Sequence, residues 1–145
     1  MARAAFLADT SAFARVSQPA VAAAFGPLVA AGQVAVCAAV TFELGYSARN
    51  RADHDAIMSR LAAYETVPTT DGDLQRALEL QHLLAARGQH RALSLVDALV
   101  AAVAESRDLT VLHYDADFEL VADVTGQRQH WIVARGTADR AAERR

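Results

Sequence analysis

The chain has 145 residues, 53% of them hydrophobic and 21% charged, and a formal net charge of −3. That is the composition of one ordered domain, and it excludes both a disordered acidic or basic tail protein and a protein that coats nucleic acid by charge alone. No apolar run approaches the ~20 residues that span a bilayer, the first run (Ala4–Ala8) is too short for a signal peptide, and the lone Cys37 excludes an internal disulfide, so a cytoplasmic protein without membrane contact is expected.

In chain order, Ala4-Ala5-Phe6-Leu7-Ala8 predicts a short buried strand that stops at Asp9, followed by a helical turn over Thr10–Arg15. Pro19 suits a first helical position, and Val21, Phe25, Leu28 and Val29 recur at helical spacing up to Gly32. Gly26-Pro27 should kink or split this helix. Gln33–Ala38 predicts a second strand, with Cys37 as a small core residue. Val40–Arg49 and Ala52–Tyr64 predict helices, and Glu65–Pro68 a third strand. Thr70-Asp71-Gly72-Asp73 is a start signal for a long helix, Leu74–Arg87, broken by Gly88-Gln89-His90-Arg91. Ser94–Arg107 is apolar nearly all round and belongs deep in the protein. Thr110–His113 predicts the fourth strand, Tyr114–Asp123 a short helix and Gln129–Val133 an edge strand, and the charged, alanine-rich tail reads as frayed or held by a partner. Short strands alternating with helices predict an α/β fold with a mainly parallel sheet covered on both faces.

Acidic residues recur where such strands end. Asp9 follows the first strand, Asp115 and Asp117 the fourth, Asp97 opens the buried helix and Glu43 lies in the helix after the second strand. In open parallel sheets, function collects outside the carboxyl ends of the strands. Each acid also has a plain structural reading: Asp9 and Asp115 as caps of the turns they begin, and Asp97 as the far half of a Ser94-Leu95-Val96-Asp97 capping box. Glu43 is harder to explain that way, because no arginine lies three or four residues away to pair with it. Taken together, the acids would repel one another and partly protonate unless a divalent cation joined them. An all-oxygen set suits Mg²⁺ or Mn²⁺ rather than Zn²⁺, and phosphate-ester chemistry is the expected use. The five histidines (His54, His82, His90, His113 and His130) have no ligand spacing and read as surface or structural residues. No phosphate-binding glycine loop and no serine nucleophile motif is present.

The motifs Leu7-Ala8-Asp9-Thr10-Ser11, Thr41-Phe42-Glu43-Leu44, Ser94-Leu95-Val96-Asp97-Ala98-Leu99-Val100-Ala101-Ala102 and Asp115-Ala116-Asp117-Phe118, in this order and spacing, resemble those of a PIN-domain protein, specifically the VapC-type ribonuclease toxins of bacterial VapBC pairs. The resemblance runs from about Phe6 to Val133, dividing the chain into a PIN domain over 1–134 and a charged tail over 135–145. It implies a three-layer α/β/α sandwich around a mainly parallel five-stranded sheet. It further implies a Mg²⁺-dependent endoribonuclease (Mn²⁺ as substitute), a homodimer and a cognate VapB-type antitoxin. Carried over by position, Asp9, Glu43, Asp97 and Asp115 match the acidic quartet, with Asp117 as the other candidate for the fourth acid. Asp9, Asp97, Asp115 and Asp117 would hold metal, and Glu43 would orient or deprotonate the attacking water. Thr10 or Ser11 matches the hydroxyl position that steadies the first aspartate or a metal water, and Ser94 is a further supporting residue. Arg15, Arg49, Arg51 and Arg91 are candidate RNA contacts.

Two other α/β enzymes place an aspartate after a strand. A haloacid-dehalogenase-type phosphatase needs a second aspartate where Ser11 stands, and both it and a response-regulator receiver need a lysine; all 14 basic residues here are arginine. A catalytically silent PIN-fold module that binds RNA or a partner, and a DNA-directed nuclease, are the remaining alternatives.

Overall fold

The computed structural model describes residues 4–139. Five strands, β1 (Phe6–Ala8), β2 (Val34–Cys37), β3 (Glu65–Val67), β4 (Thr110–His113) and β5 (Gln129–Trp131), form one sheet in the order β3-β2-β1-β4-β5. The sheet is parallel throughout: Leu7 pairs with Ala35 on one side and Val111 on the other, Cys37 with Val67, and His113 with Trp131. The "mainly parallel" expectation is therefore met without an antiparallel edge.

Seven helices connect the strands: α1 (Thr10–Phe13), α2 (Pro19–Ala30), α3 (Ala38–Tyr46), α4 (Arg51–Leu61), α5 (Asp71–Ala85), α6 (Leu95–Ser106) and α7 (Asp117–Thr125). Alternation along the strands assigns the layers. Leu7, Ala35, Cys37 and Val111 pack with α3, α5, α6 and α7, through Val40, Leu80, Leu84, Val100, Val103, Phe118 and Val121. Ala8, Val34 and Leu112 pack on the other face with Ala12 of α1 and Val21 and Phe25 of α2. The result is a three-layer α/β/α sandwich. Phe118 and Leu84 have no exposed surface, and full burial of a side chain of that size stabilises the fold by about 1.5–3 kcal/mol.

Local chemistry sets the helix ends. Thr70 and Asp73 form a reciprocal capping box on α5, and Gly126 closes α7 with φ 75°. α2 is not split: Pro27 lies inside it, and Pro19–Ala30 is one helix. The residue before a proline is normally driven out of helical conformation by contact between its Cβ and the proline ring; Gly26 has no Cβ. α3 begins two residues earlier than Val40, directly after Cys37, and ends at Tyr46 rather than Arg49. Cys37 is a buried free thiol whose pKa is raised, chiefly by burial. Among the described residues no helix is long and apolar enough to cross a membrane. In the segment read as a charged tail, Gly136 and Ala138 are hydrogen-bonded to Tyr114 rather than frayed, and residues 140–145 lie outside the described residues.

Candidate active site

The strand order reverses direction at β1: the chain steps from it to β2 on one side, and later places β4 on the other. A crevice opens at such a switch point, beyond the carboxyl ends of the two central strands. Asp9 follows β1 there and Asp115 follows β4. Asp9 is 2% exposed. Its backbone N–H donates to the Leu112 carbonyl (2.9 Å), and its Oδ2 accepts from the Ser11 N–H (2.9 Å), capping α1. The capping reading is thus correct for one oxygen only. Oδ1 is buried without a protein hydrogen-bond partner, as is Thr10 Oγ1 nearby in sequence. Burial raises the Asp9 pKa; hydrogen bonding from Ser11 opposes this, and the charges of Asp115 and Glu43 add to it.

Asp97 stands in the first turn of α6. Its N–H donates to Ser94 Oγ (3.1 Å), half of the expected capping box; no reciprocal bond from Ser94 N–H occupies its carboxylate. The Asp97 carboxyl is pushed up to about 7, first by burial and then by the charges of Asp9 and Asp115. Asp115 is held from both sides: its N–H donates to His113 Nδ1 (3.0 Å), and its Oδ1 accepts from the Asp117 N–H (2.9 Å). Asp117, the first residue of α7, has its pKa raised by burial and by Asp115. Carboxylate oxygens of Asp97, Asp115 and Asp117 lie within 4.8 Å of one another. Glu43, half-buried on α3, acts on Asp9 through its charge. Among the described residues none of these five acids takes part in a salt bridge.

This arrangement fits a hard divalent cation. The donors are all oxygen, one of them is a buried carboxylate oxygen without a protein partner, and like charges this close repel one another unless a cation joins them. The three aspartates within 4.8 Å of each other do not include Asp9, whose free oxygen lies in the same electrostatic neighbourhood. Asp115 and Asp117 both belong to the group.

The arginines divide. Arg15, expected as an RNA contact, has its guanidinium engaged by the protein itself: Nε donates to Ala138 O (2.8 Å), Nη1 to Ser11 O (3.0 Å), and Cζ lies 4.7 Å from the Tyr114 ring centre. These contacts give Arg15 a place in the fold, whatever it adds toward RNA. Arg49 and Arg51 project from the α3–α4 corner in exposed pairs with Asp53 (3.2 Å) and Asp55 (3.8 Å), and Arg91 is exposed between α5 and α6.

Two supporting contacts escape the sequence reading, in which His113 is a surface or structural residue and Ser11 a hydroxyl steadying Asp9. His113 is wholly buried, with Nε2 2.6 Å from Gln129 Oε1 and Nδ1 accepting from Asp115. Burial lowers its pKa, in keeping with a neutral ring. Ser11 Oγ accepts from the Tyr114 N–H (2.8 Å), tying the Asp9 turn to the Asp115 turn. Neither carries a spacing signal: Ser11 and Tyr114 are 103 residues apart, and His113 meets Gln129 only because β4 and β5 pair side by side.

A family profile described as PIN domain matches residues 6–124. Ribonuclease VapC51 of Mycobacterium tuberculosis (strain ATCC 25618 / H37Rv) is 48% identical over 134 residues, covering 92% of this chain and 97% of its own length. Ribonuclease VapC21 of Mycobacterium tuberculosis (strain CDC 1551 / Oshkosh) is 42% identical with the same coverage. Among solved structures, VapBC-5 from Mycobacterium tuberculosis, a member of the VapBC family of toxin–antitoxin systems, matches at 28% identity and a TM-score of 0.61 over 90% of this chain and 99% of that one.

Proposed function

The chain belongs to the PIN-domain family, and from that membership we propose that it is a metal-dependent endoribonuclease that hydrolyses RNA phosphodiester bonds as the toxin of a type II toxin–antitoxin pair. The observation that carries this reading is the unpaired acid cluster at the switch point: Asp9, Glu43, Asp97 and the Asp115/Asp117 turn come from four separate places in the chain, and among the described residues no cationic side chain is paired with them. Relatives that share most of its length are named as VapC ribonucleases.

Asp97, Asp115 and Asp117 would hold the cation, with the free Oδ1 of Asp9 turned to the same place; Mg²⁺ is the proposed ion and Mn²⁺ its substitute. When bound, such an ion supplies charge neutralisation and Lewis-acid polarisation of a phosphate oxygen. The chain's own residues do the rest. Glu43 accepts a proton from the attacking water, for which its half-buried place beside Asp9 suits it. Ser11 holds Asp9 by its N–H, and Ser94 holds the first turn of α6 so that Asp97 faces the cluster. His113 and the Asp117 N–H fix the two ends of Asp115. Arg49, Arg51 and Arg91 are the proposed contacts to the RNA backbone. A VapB-type antitoxin and a second copy of the chain are the proposed partners.

The test is cleavage of RNA by the purified chain with Mg²⁺, Mn²⁺ or EDTA, beside Asp9→Asn and Asp97→Asn checked for folding by circular dichroism. Metal-dependent cleavage, lost in both folded variants, is the expected result. A folded wild type that binds Mn²⁺ but cuts only DNA would replace RNA by DNA as the substrate. A wild type that binds no divalent cation would leave a silent binding module.

A further inference from the structure

Beyond the last residue matched by the family profile, residue 124, the chain adds β5 and then returns across the sheet. This return is anchored at a single phenol. Tyr114 Oη accepts from the Gly136 N–H (2.7 Å) and the Ala138 N–H (2.9 Å), and donates to Asp139 Oδ1 (2.7 Å). One hydroxyl can offer one proton and two lone pairs, so its capacity is filled by this segment alone. Tyr114 and Ala138 are both buried. Arg15 closes the arrangement from the other side. It lies over the Tyr114 ring, and its two donors bridge the Ala138 carbonyl of the return segment and the Ser11 carbonyl of α1.

The two residues so clamped are the ones that aim the acids. Ser11 holds Asp9 Oδ2, and Oδ1 is buried without a protein partner. Tyr114 is bonded through its own N–H to Ser11 Oγ and is followed in the chain by Asp115. The geometry points to Tyr114 and Arg15 as positioning residues: together they fasten the segment 136–139 as a strap that sets the Asp9 turn against the Asp115 turn. This rests on the nuclease reading for its kinetic consequence and on the acid cluster alone for its metal-binding consequence. A misplacement of about 1 Å at such a site costs up to ~100-fold in rate. Supporting groups behind metal ligands typically contribute ~10–100-fold in affinity or activity.

The experiment uses Tyr114→Phe, which deletes the hydroxyl and keeps the ring under Arg15 and against Trp131, together with Arg15→Ala and the double variant. Gln127→Ala serves as a stability control: it removes bonds to the Leu109 and Arg128 carbonyls at the start of β4 and β5, at the other end of those strands from the acids. Mn²⁺ affinity is measured by calorimetric titration on folded protein, and RNA cleavage by kcat and KM. Tyr114→Phe and Arg15→Ala should each weaken Mn²⁺ binding about 10-fold and lower kcat by a similar factor with KM within twofold. The double variant should be little worse than either single one, because the junction acts as a unit. Gln127→Ala should lower Tm and leave Mn²⁺ affinity unchanged. Wild-type Mn²⁺ affinity in Tyr114→Phe, or an equal loss of affinity in Gln127→Ala, would overturn the proposal and reduce the strap to a brace for the fold. A wild type that binds Mn²⁺ but cleaves no RNA would defeat the nuclease reading and leave the strap to be decided by the Mn²⁺ arm. A wild type that binds no Mn²⁺ would end both.

Discussion

The two ends of α6 treat acidic side chains in opposite ways. At the last turn and the run into β4, both acids are met by arginine. Glu105 takes Nε and Nη2 of Arg76 at 2.7 and 3.1 Å, and Asp108 takes Arg128 at 2.9 Å. Asp108 adopts φ 58°, a left-handed conformation that aspartate tolerates better than most residues, and Arg128 also bonds its carbonyl. At the first turn Asp97 faces other acids, and its carboxyl is driven up to about 7. Charge of one kind thus stabilises one end weakly, as exposed ion pairs do, and opposes folding at the other until a cation arrives. The difference separates acids that finish the surface from acids reserved for chemistry.

The largest effect should come from removing charge at the unpaired end. Asp97→Asn and Asp9→Asn are expected to lower metal-dependent cleavage by about 100-fold or more, while the melting temperature in EDTA at pH 8 stays level or rises because like-charge repulsion is relieved. A large drop in that melting temperature would break the comparison. Next in size is the pH dependence. Asp9, Asp97 and Asp117 all have their pKa raised in the fold, against about 3.9 for an unfolded aspartate. From about pH 4 upward these three groups therefore bind more protons in the native protein than in the unfolded chain, so the stability they contribute without metal falls as pH rises, for Asp97 through about pH 7, while buried His113, with its pKa lowered, works in the opposite sense below its usual value. Thermal melts should show Mg²⁺ raising Tm more at pH 8 than at pH 5; equal shifts would contradict the assignment. A finer comparison sets Asp115→Asn against Asp117→Asn. Asp115 touches both His113 and the Asp117 N–H, so its replacement should reduce Mn²⁺ affinity about 10-fold more than that of Asp117, as read by titration. The smallest effect belongs to the paired end: Arg76→Ala should cost about 0.5–1 kcal/mol in urea unfolding, with cleavage unchanged.

How much of this was legible follows the same division. Thr110–His113 and the stop at Asp9 are legible because an apolar run too short for a helix ends in a carboxylate, and the structure draws both strands within a residue or two of the reading. Asp97 is legible through Ser94, since a capping hydroxyl three residues before an acid is a local pattern. The strap is not: Tyr114 meets Gly136, Ala138 and Asp139 only because β5 returns the chain to the central strands. The intramolecular contacts of Arg15 were not legible for a related reason. An arginine near the rim looks the same in sequence whether its guanidinium faces solvent or two carbonyls. The split expected as one outcome at Gly26-Pro27 does not occur, because Gly26 lacks the Cβ with which the proline ring would collide.

Cys37 adds a tool that the fold itself supplies. It is the chain's one thiol, it has no exposed surface, and it sits where β2 turns directly into α3, one layer beneath the helix that carries Glu43. A maleimide or aromatic disulfide reagent can reach it only when that junction opens. The labelling rate of the unmodified protein therefore clocks the opening of the Glu43 helix from the sheet, in the presence and absence of metal or partner, without the introduction of any probe.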